Sequence, residues 1–369
     1  MSLRRFGYEW EAGALKRFYY DSACSVPHCV WRLVLWLVTI GSPVALQAQS
    51  EHVAHGVRND LPRPFETYRD WGELPDNTVS WAAVTAVEPA PDGKTIYVVH
   101  RCFENSCEGR SENPILKFDY SGSLLASFGQ GLFLFPHGAT VDHEGNLWVT
   151  DARSNEVLGN QVIKFSPDGE ILMTLTHAGS DSERLHWPND VVVDPSDGDI
   201  FVAESHRGGR NDRIVHFDRQ GRFIKTIGSA GSAPGQLSEP HSLALDSRGR
   251  LFVGDRENNR IQIFSQDGEL LDVWTQFGRP SGLFITQDDR LYVADSESGP
   301  DTGAGELTGI MKGIRIGSAI DGTVHSFIED LEPLRDDHSG AEAVGVDSAG
   351  NVYGAVVRRR MLERHVLRP

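Results

Sequence analysis

The chain has 369 residues, 39% of them hydrophobic, enough to bury a substantial core in one large domain or two ordinary ones, which excludes a wholly disordered protein. A formal charge of −17 at pH 7 disfavours nucleic acid and anionic membrane surfaces as partners, because the long-range field repels phosphate. A small neutral or cationic ligand suits that balance, and an anion needs locally placed arginines.

Near the start, Arg4, Arg5, Lys16, Arg17 and Arg32 lead into an apolar run from Leu33 to Leu46 that is short for a membrane span and gives way to small residues. Residues 1–48 therefore read as a secretory signal with a long basic lead-in, cut near Ala48, and the expected location is secreted or periplasmic. An uncleaved anchor is the alternative. Cleavage removes Cys24 and Cys29 and leaves Cys102 and Cys107 in "RCFENSC". An oxidising compartment lets that pair join, and two free loop thiols are the other reading.

Beyond residue 76 the chain repeats itself. Each unit has an alternating strand ending in Val-Asp or a variant, a turn with Gly, and a second strand such as "NLWVTD", "DIFVAES", "RLFVGD" or "RLYVADS". Two more strands follow around Asp-Gly or Ser-Gly turns, as in "VIKFSPDGEILMTL" and "IQIFSQDGELLDVW", which is the hairpin signal. Six units align, with first strands beginning near Ala83, His137, Asn189, His241, Ser281 and Glu342. Four strands in a period of about 40 to 60 residues describe an all-β, six-bladed β-propeller over 76–369. The last unit runs out after three strands. Within the segment 49–75, which otherwise serves as a linker, "PFETYRDWGELP" is expected to supply the fourth and close the ring. The stretch "SESGPDTGAGELTGIMKG" in blade five is expected to overhang a rim, as a lid or as a solvated connection.

The six aligned residues start the innermost strands and are expected to encircle one mouth of the channel. Blades two, four and six carry His137, His241 and Glu342 there, close to three-fold. Two imidazoles and a carboxylate with room for water or substrate have the chemistry of a catalytic zinc site. The competing reading is ordinary hydrogen bonding, since Asn189 and Ser281 occupy the same position. Strand two returns to that mouth. Just past its end stand Arg101 in blade one and Arg256 in blade four, suited to a carboxylate, and Ser205 with His206 in blade three.

"PHGATVD", "PHSLALD", "DRENNRIQIF", "SRGRLFVGD" and the "HR" of blade one together resemble the NHL-type six-bladed propellers and, among them, the peptidyl-α-hydroxyglycine α-amidating lyases, over roughly residues 76 to 369. The resemblance implies a zinc-dependent C–N lyase that converts a peptide ending in α-hydroxyglycine to the peptide amide and glyoxylate. It implies zinc on His137 and His241, with Glu342 standing where the family has a third histidine. It implies substrate-binding arginines at Arg101 and Arg256, and a base at His206, where the family has a tyrosine. A calcium is implied as well, but its aspartate is Ala343 here, leaving backbone carbonyls such as that of Ala139. The implied partner is a separate copper monooxygenase that makes the hydroxyglycine. Two other readings compete: a lactonase-type hydrolase, whose sites favour oxygen ligands for calcium, and a non-catalytic binding propeller.

Overall fold

A computed structural model describes residues 56–369 apart from 77, 79, 177–183, 206–210, 300–308 and 336–338. The expected signal segment, His206 and half of the blade-five insertion lie outside the described residues.

Among the described residues, twenty-four strands, numbered in chain order, form six four-stranded sheets. Five sheets take consecutive strands, and the innermost strands contact one another in a closed ring around a channel. The sixth joins β22 (Ala341–Val346), β23 (Val352–Val356) and β24 (Met361–Leu367) to β1 (Phe65–Tyr68). The pairing is antiparallel, with Phe65 opposite Leu367 and Tyr68 opposite Arg364. The all-β, six-bladed expectation and the closing strand are thus both seen. Only the first part of the expected segment pairs, however; the chain then crosses to blade one, where Glu73 N–H donates to Gly122 O at 2.8 Å. On the way Trp71 packs its ring 5.0 Å from Tyr353 of blade six and 5.7 Å from Phe118 of blade one.

Local chemistry explains the hairpins. Asp142 Oδ1 accepts the N–H groups of Glu144 and Asn146 while Gly145 takes φ +85°, so the side chain mimics a turn that only a left-handed residue completes. Asp347 and Gly350 repeat the arrangement in blade six. The apolar residues do not gather at the axis. They form six clusters, each between two neighbouring blades, such as Val99 and Ile115 of blade one against Val149 and Phe165 of blade two. Burial between sheet faces supplies the hydrophobic stabilisation and leaves the axis available for polar groups.

Five of the six inner strands carry a register shift at the mouth: between Val84 and Ala86, Pro136 and Ala139, Pro188 and Asp190, Pro240 and Ser242, and Ala341 and Ala343. A bulge leaves its residue out of the ladder and re-aims the side chain. The bulge in blade one falls on Thr85, so Thr85 and not Ala83 holds the mouth position there. Ala83 instead exchanges backbone bonds with Glu104 and Arg101.

Trp71→Ala is expected to lower the unfolding free energy by about 2–3 kcal/mol, less than a fully buried tryptophan because the ring is half-buried. The urea midpoint measures it, and an unchanged midpoint would show that the seam does not depend on this residue.

Candidate active site

At the mouth, a polar side chain reaches across to the backbone of the next blade. Thr85 hydroxyl donates to Pro136 O at 3.3 Å and Asn189 Nδ2 to Pro240 O at 3.3 Å. His137, on β6 (Pro136–Val141), makes the same link from Nδ1 to Asn189 O at 2.9 Å, and His241, on β14 (Pro240–Leu245), from Nδ1 to Ser281 O at 2.7 Å. A carbonyl only accepts, so Nδ1 carries the proton in both rings and each Nε2 presents a lone pair. Ordinary hydrogen bonding and the candidate chemistry therefore occupy opposite nitrogens of the same ring.

The structure brings the three expected ligands together: His137, His241 and Glu342 offer atoms all within 4.8 Å of one another. Glu342 Oε1 lies 3.5 Å from His137 Nε2 and 3.3 Å from His241 Nε2. A tetrahedral zinc with bonds of about 2.0–2.1 Å separates its ligand atoms by about 3.3 Å, so the donor set fits the metal in type and in its two carboxylate–imidazole spacings, while the widest separation in the trio, within 4.8 Å, would close on binding. Both imidazoles are buried, at 3% exposure. Burial drives the His137 pKa down to about 4, which keeps the ring neutral and able to ligate. Burial opposes ionisation of Glu342, but the close approach of His137 and His241 outweighs it and holds the carboxyl well below its ordinary value.

Arg101 is buried beside this cluster. Its Nη1 donates to Asn105 Oδ1 at 2.6 Å and its Nε to Pro136 O at 3.3 Å, and its guanidinium stacks 3.5 Å from the Phe135 ring centroid. Asn105 sits in the loop closed by the Cys102–Cys107 disulfide, which resolves the earlier alternative in favour of pairing. No carboxylate lies within ion-pair distance of Arg101 among the described residues. Burial lowers its pKa to about 10, and Glu342 works against that shift while Arg153 adds to it.

Arg256 has a different environment. Its Nη2 meets Glu239 Oε2 at 2.9 Å, and its Nη1 lies 4.0 Å from Glu297 Oε2. Burial opposes its charge, but Glu297 and Glu239 outweigh burial and raise its pKa. The two arginines that look equivalent in sequence are thus electrostatically distinct, one without a carboxylate and one already paired.

Sequence reading missed a second tier at the mouth. Phe135, Trp187, Glu239 and Arg279 each precede the proline before a mouth residue, a recurring X-Pro signal readable in the repeat. Trp187 and Glu239 hold φ of +56° and +55°, a left-handed backbone that costs of order 1–3 kcal/mol per residue and recurs at functional sites. Two channel acids were missed as well. Glu88 and Asp190 line the same cavity as the histidines, about 920 Å³ in volume. Burial pushes Asp190 up to about 7 and, with Asp190 nearby, holds Glu88 well above the ordinary carboxylate range.

Comparison with known proteins adds to this geometry. Residues 237–264 match the NHL repeat. The chain is 39% identical over 205 residues to peptidyl-glycine alpha-amidating monooxygenase B of Xenopus laevis, covering 50% of this chain but only 23% of that protein. It is 32% identical over 267 residues to the Caenorhabditis elegans protein named "Probable peptidyl-alpha-hydroxyglycine alpha-amidating lyase pgal-1", covering 64% of this chain and 72% of that protein. A gluconolactonase structure from Xanthomonas campestris superposes with a TM-score of 0.55 at 16% identity, over 82% of this chain and 89% of that one, which is a likeness of fold alone. The chain spans less than a third of the Xenopus protein but most of the nematode one, and on that match it belongs to the peptidyl-α-hydroxyglycine α-amidating lyase family.

Proposed function

We infer that the protein is a secreted zinc lyase that cleaves a peptide ending in α-hydroxyglycine to the peptide amide and glyoxylate. The observation that carries this reading is the convergence of two Nδ1–H imidazoles and Glu342 at zinc-like spacings, in a chain of this family. Two nitrogen donors also favour zinc over the all-oxygen calcium site of a lactonase-type hydrolase. The Cys102–Cys107 bond supports an oxidising compartment and hence secretion.

Zinc bound by His137, His241 and Glu342 supplies Lewis acidity toward the hydroxyl oxygen of the carbinolamide. Arg101 takes the terminal carboxylate; its plane is held by the Phe135 ring and Asn105, so little ordering is left to pay on binding. His206 is assigned as the base that receives the hydroxyl proton. As the proton leaves, its electron pair closes the glyoxylate carbonyl, the C–N bond breaks, and the amide nitrogen departs with that bond's electrons and takes up a proton. Arg256, fixed by Glu239, steadies charge at the mouth. The substrate's hydroxyl requires an oxygenase acting on glycine-extended peptides, and we assign that step to a separate monooxygenase.

His137→Ala and His241→Ala should each cut zinc affinity at least about 100-fold and glyoxylate release by a similar or larger factor. Metal content and glyoxylate are read on the same samples, and release that survives full zinc removal would sink the assignment. Arg101→Gln should raise KM about 10- to 100-fold with a smaller change in kcat. Arg256→Gln is expected to act first on the fold, by about 2–3 kcal/mol in denaturant unfolding, because it removes the buried guanidinium that pairs with the partly buried Glu239. Equal kinetic defects with unchanged stability in both variants would contradict the division between them.

A further inference from the structure

The two sides of the mouth carry opposite charge. On blades one and two, Arg101 and Arg153 both stack on Phe135, at 3.5 and 3.6 Å from its centroid. Two guanidiniums that close must lie on opposite faces of the ring, and the Phe135 ring centroid is 6.4 Å from that of His137. Positive charge is therefore built in at the flank of the cluster that holds His137.

On blades four and five the balance reverses. Arg256 and Arg279 are met there by three acids: Glu239 on Arg256, Glu257 on Arg279, and Glu297 at 3.1 Å from Arg279 and 4.0 Å from Arg256. The side chains of Glu257 and Glu297 are 44% and 34% exposed, so a bound molecule can reach them. Glu239 and Glu297 both interact electrostatically with His241, which places the acids at the opposite flank of the cluster. Three carboxylates against two guanidiniums leave one acid in excess, in a mouth partly shielded from water where charges are weakly screened.

We propose that this polarity orients the substrate and selects its sequence: the terminal carboxylate lies toward Arg101 and Arg153, and a cationic side chain on the residue before the hydroxyglycine is taken by Glu257 and Glu297. The assignment rests on the lyase reading for the hydroxyglycine itself, but the charge preference is a binding property that can be measured without turnover. An acidic residue at the same place meets like charge and is disfavoured. Arg153 is then a substrate-binding residue alongside Arg101, and Glu297 joins the site from the first residues of the blade-five insertion as a specificity-determining one.

The test uses unreactive ligands that lack the hydroxyl: N-acetyl-lysyl-glycine, N-acetyl-alanyl-glycine and N-acetyl-glutamyl-glycine, titrated by calorimetry into the zinc-loaded protein. The lysyl ligand should bind about tenfold tighter than the glutamyl one, with the alanyl ligand between them. Glu257→Gln with Glu297→Gln should compress that spread to about twofold, and Arg153→Gln should weaken all three ligands in common. Equal affinities in the unaltered protein, a glutamyl preference, or no saturable binding of any ligand would overturn the proposal. Glyoxylate release from the matching hydroxyglycine peptides separates the two claims: no release with the charge order intact removes the lyase reading alone, and release with equal affinities removes the polarity alone.

Discussion

A hydrogen bond from the head of an inner strand to a carbonyl of the neighbouring blade organises the whole mouth. Threonine, asparagine and histidine all make it, so the position is first a stitch between blades. Only histidine has a second heteroatom on the far side of a rigid ring, and the stitch dictates which nitrogen keeps the proton. Two such stitches at alternate blades leave two lone pairs aimed at one place, and the bulges supply the turn of the backbone that aims them. The convergence of the two rings is a by-product of ring construction, which is why it needs little extra ordering to form.

Glu342 completes the trio at a cost. A carboxylate at that depth loses hydration, and of the two imidazoles beside it burial keeps His137 neutral. Arg101 and Arg256 both interact electrostatically with Glu342, and among the described residues no carboxylate lies within ion-pair distance of Arg101. Arg256, by contrast, has its charge answered by Glu239 and contributes rigidity.

Much of this was readable in the repeat, and the exceptions are instructive. An aspartate followed by a Gly turn, as at Asp142 and Asp347, recurs along the chain because the aspartate side chain and the left-handed glycine make the turn together, so blade count and ring closure followed from pattern. The histidines and Glu342 were visible as departures from that pattern. The error at Ala83 has a local source: the first strand of blade one runs into Glu88-Pro89-Ala90 without the aspartate that anchors the count in blades two, three, four and six, so a count along the repeat places the mouth position two residues early. The contrast between Arg101 and Arg256 was illegible for another reason. The carboxylates that pair with Arg256 lie earlier in the chain, at Glu239, and in the blade-five insertion, at Glu297, so its charge environment is a property of the assembled ring.

The strand that closes the ring has a consequence for how the molecule is made. Thr67 of β1 bonds to His365 of β24, 298 residues later. Chain entropy charges little for so long a loop, since the cost grows only with the logarithm of length, but the wait is real during synthesis. Five inter-blade interfaces can form as their blades emerge, while the sixth must stay open. An arrested chain is then a horseshoe of nearly finished blades whose two end faces expose Val98, Phe118, Tyr353 and Leu362, the apolar set that the seam buries. Those faces are complementary by construction, so at high concentration the end of one unfinished ring fits the start of another, and aggregation of the nascent protein should proceed by orderly blade-to-blade addition before it proceeds by any general loss of structure.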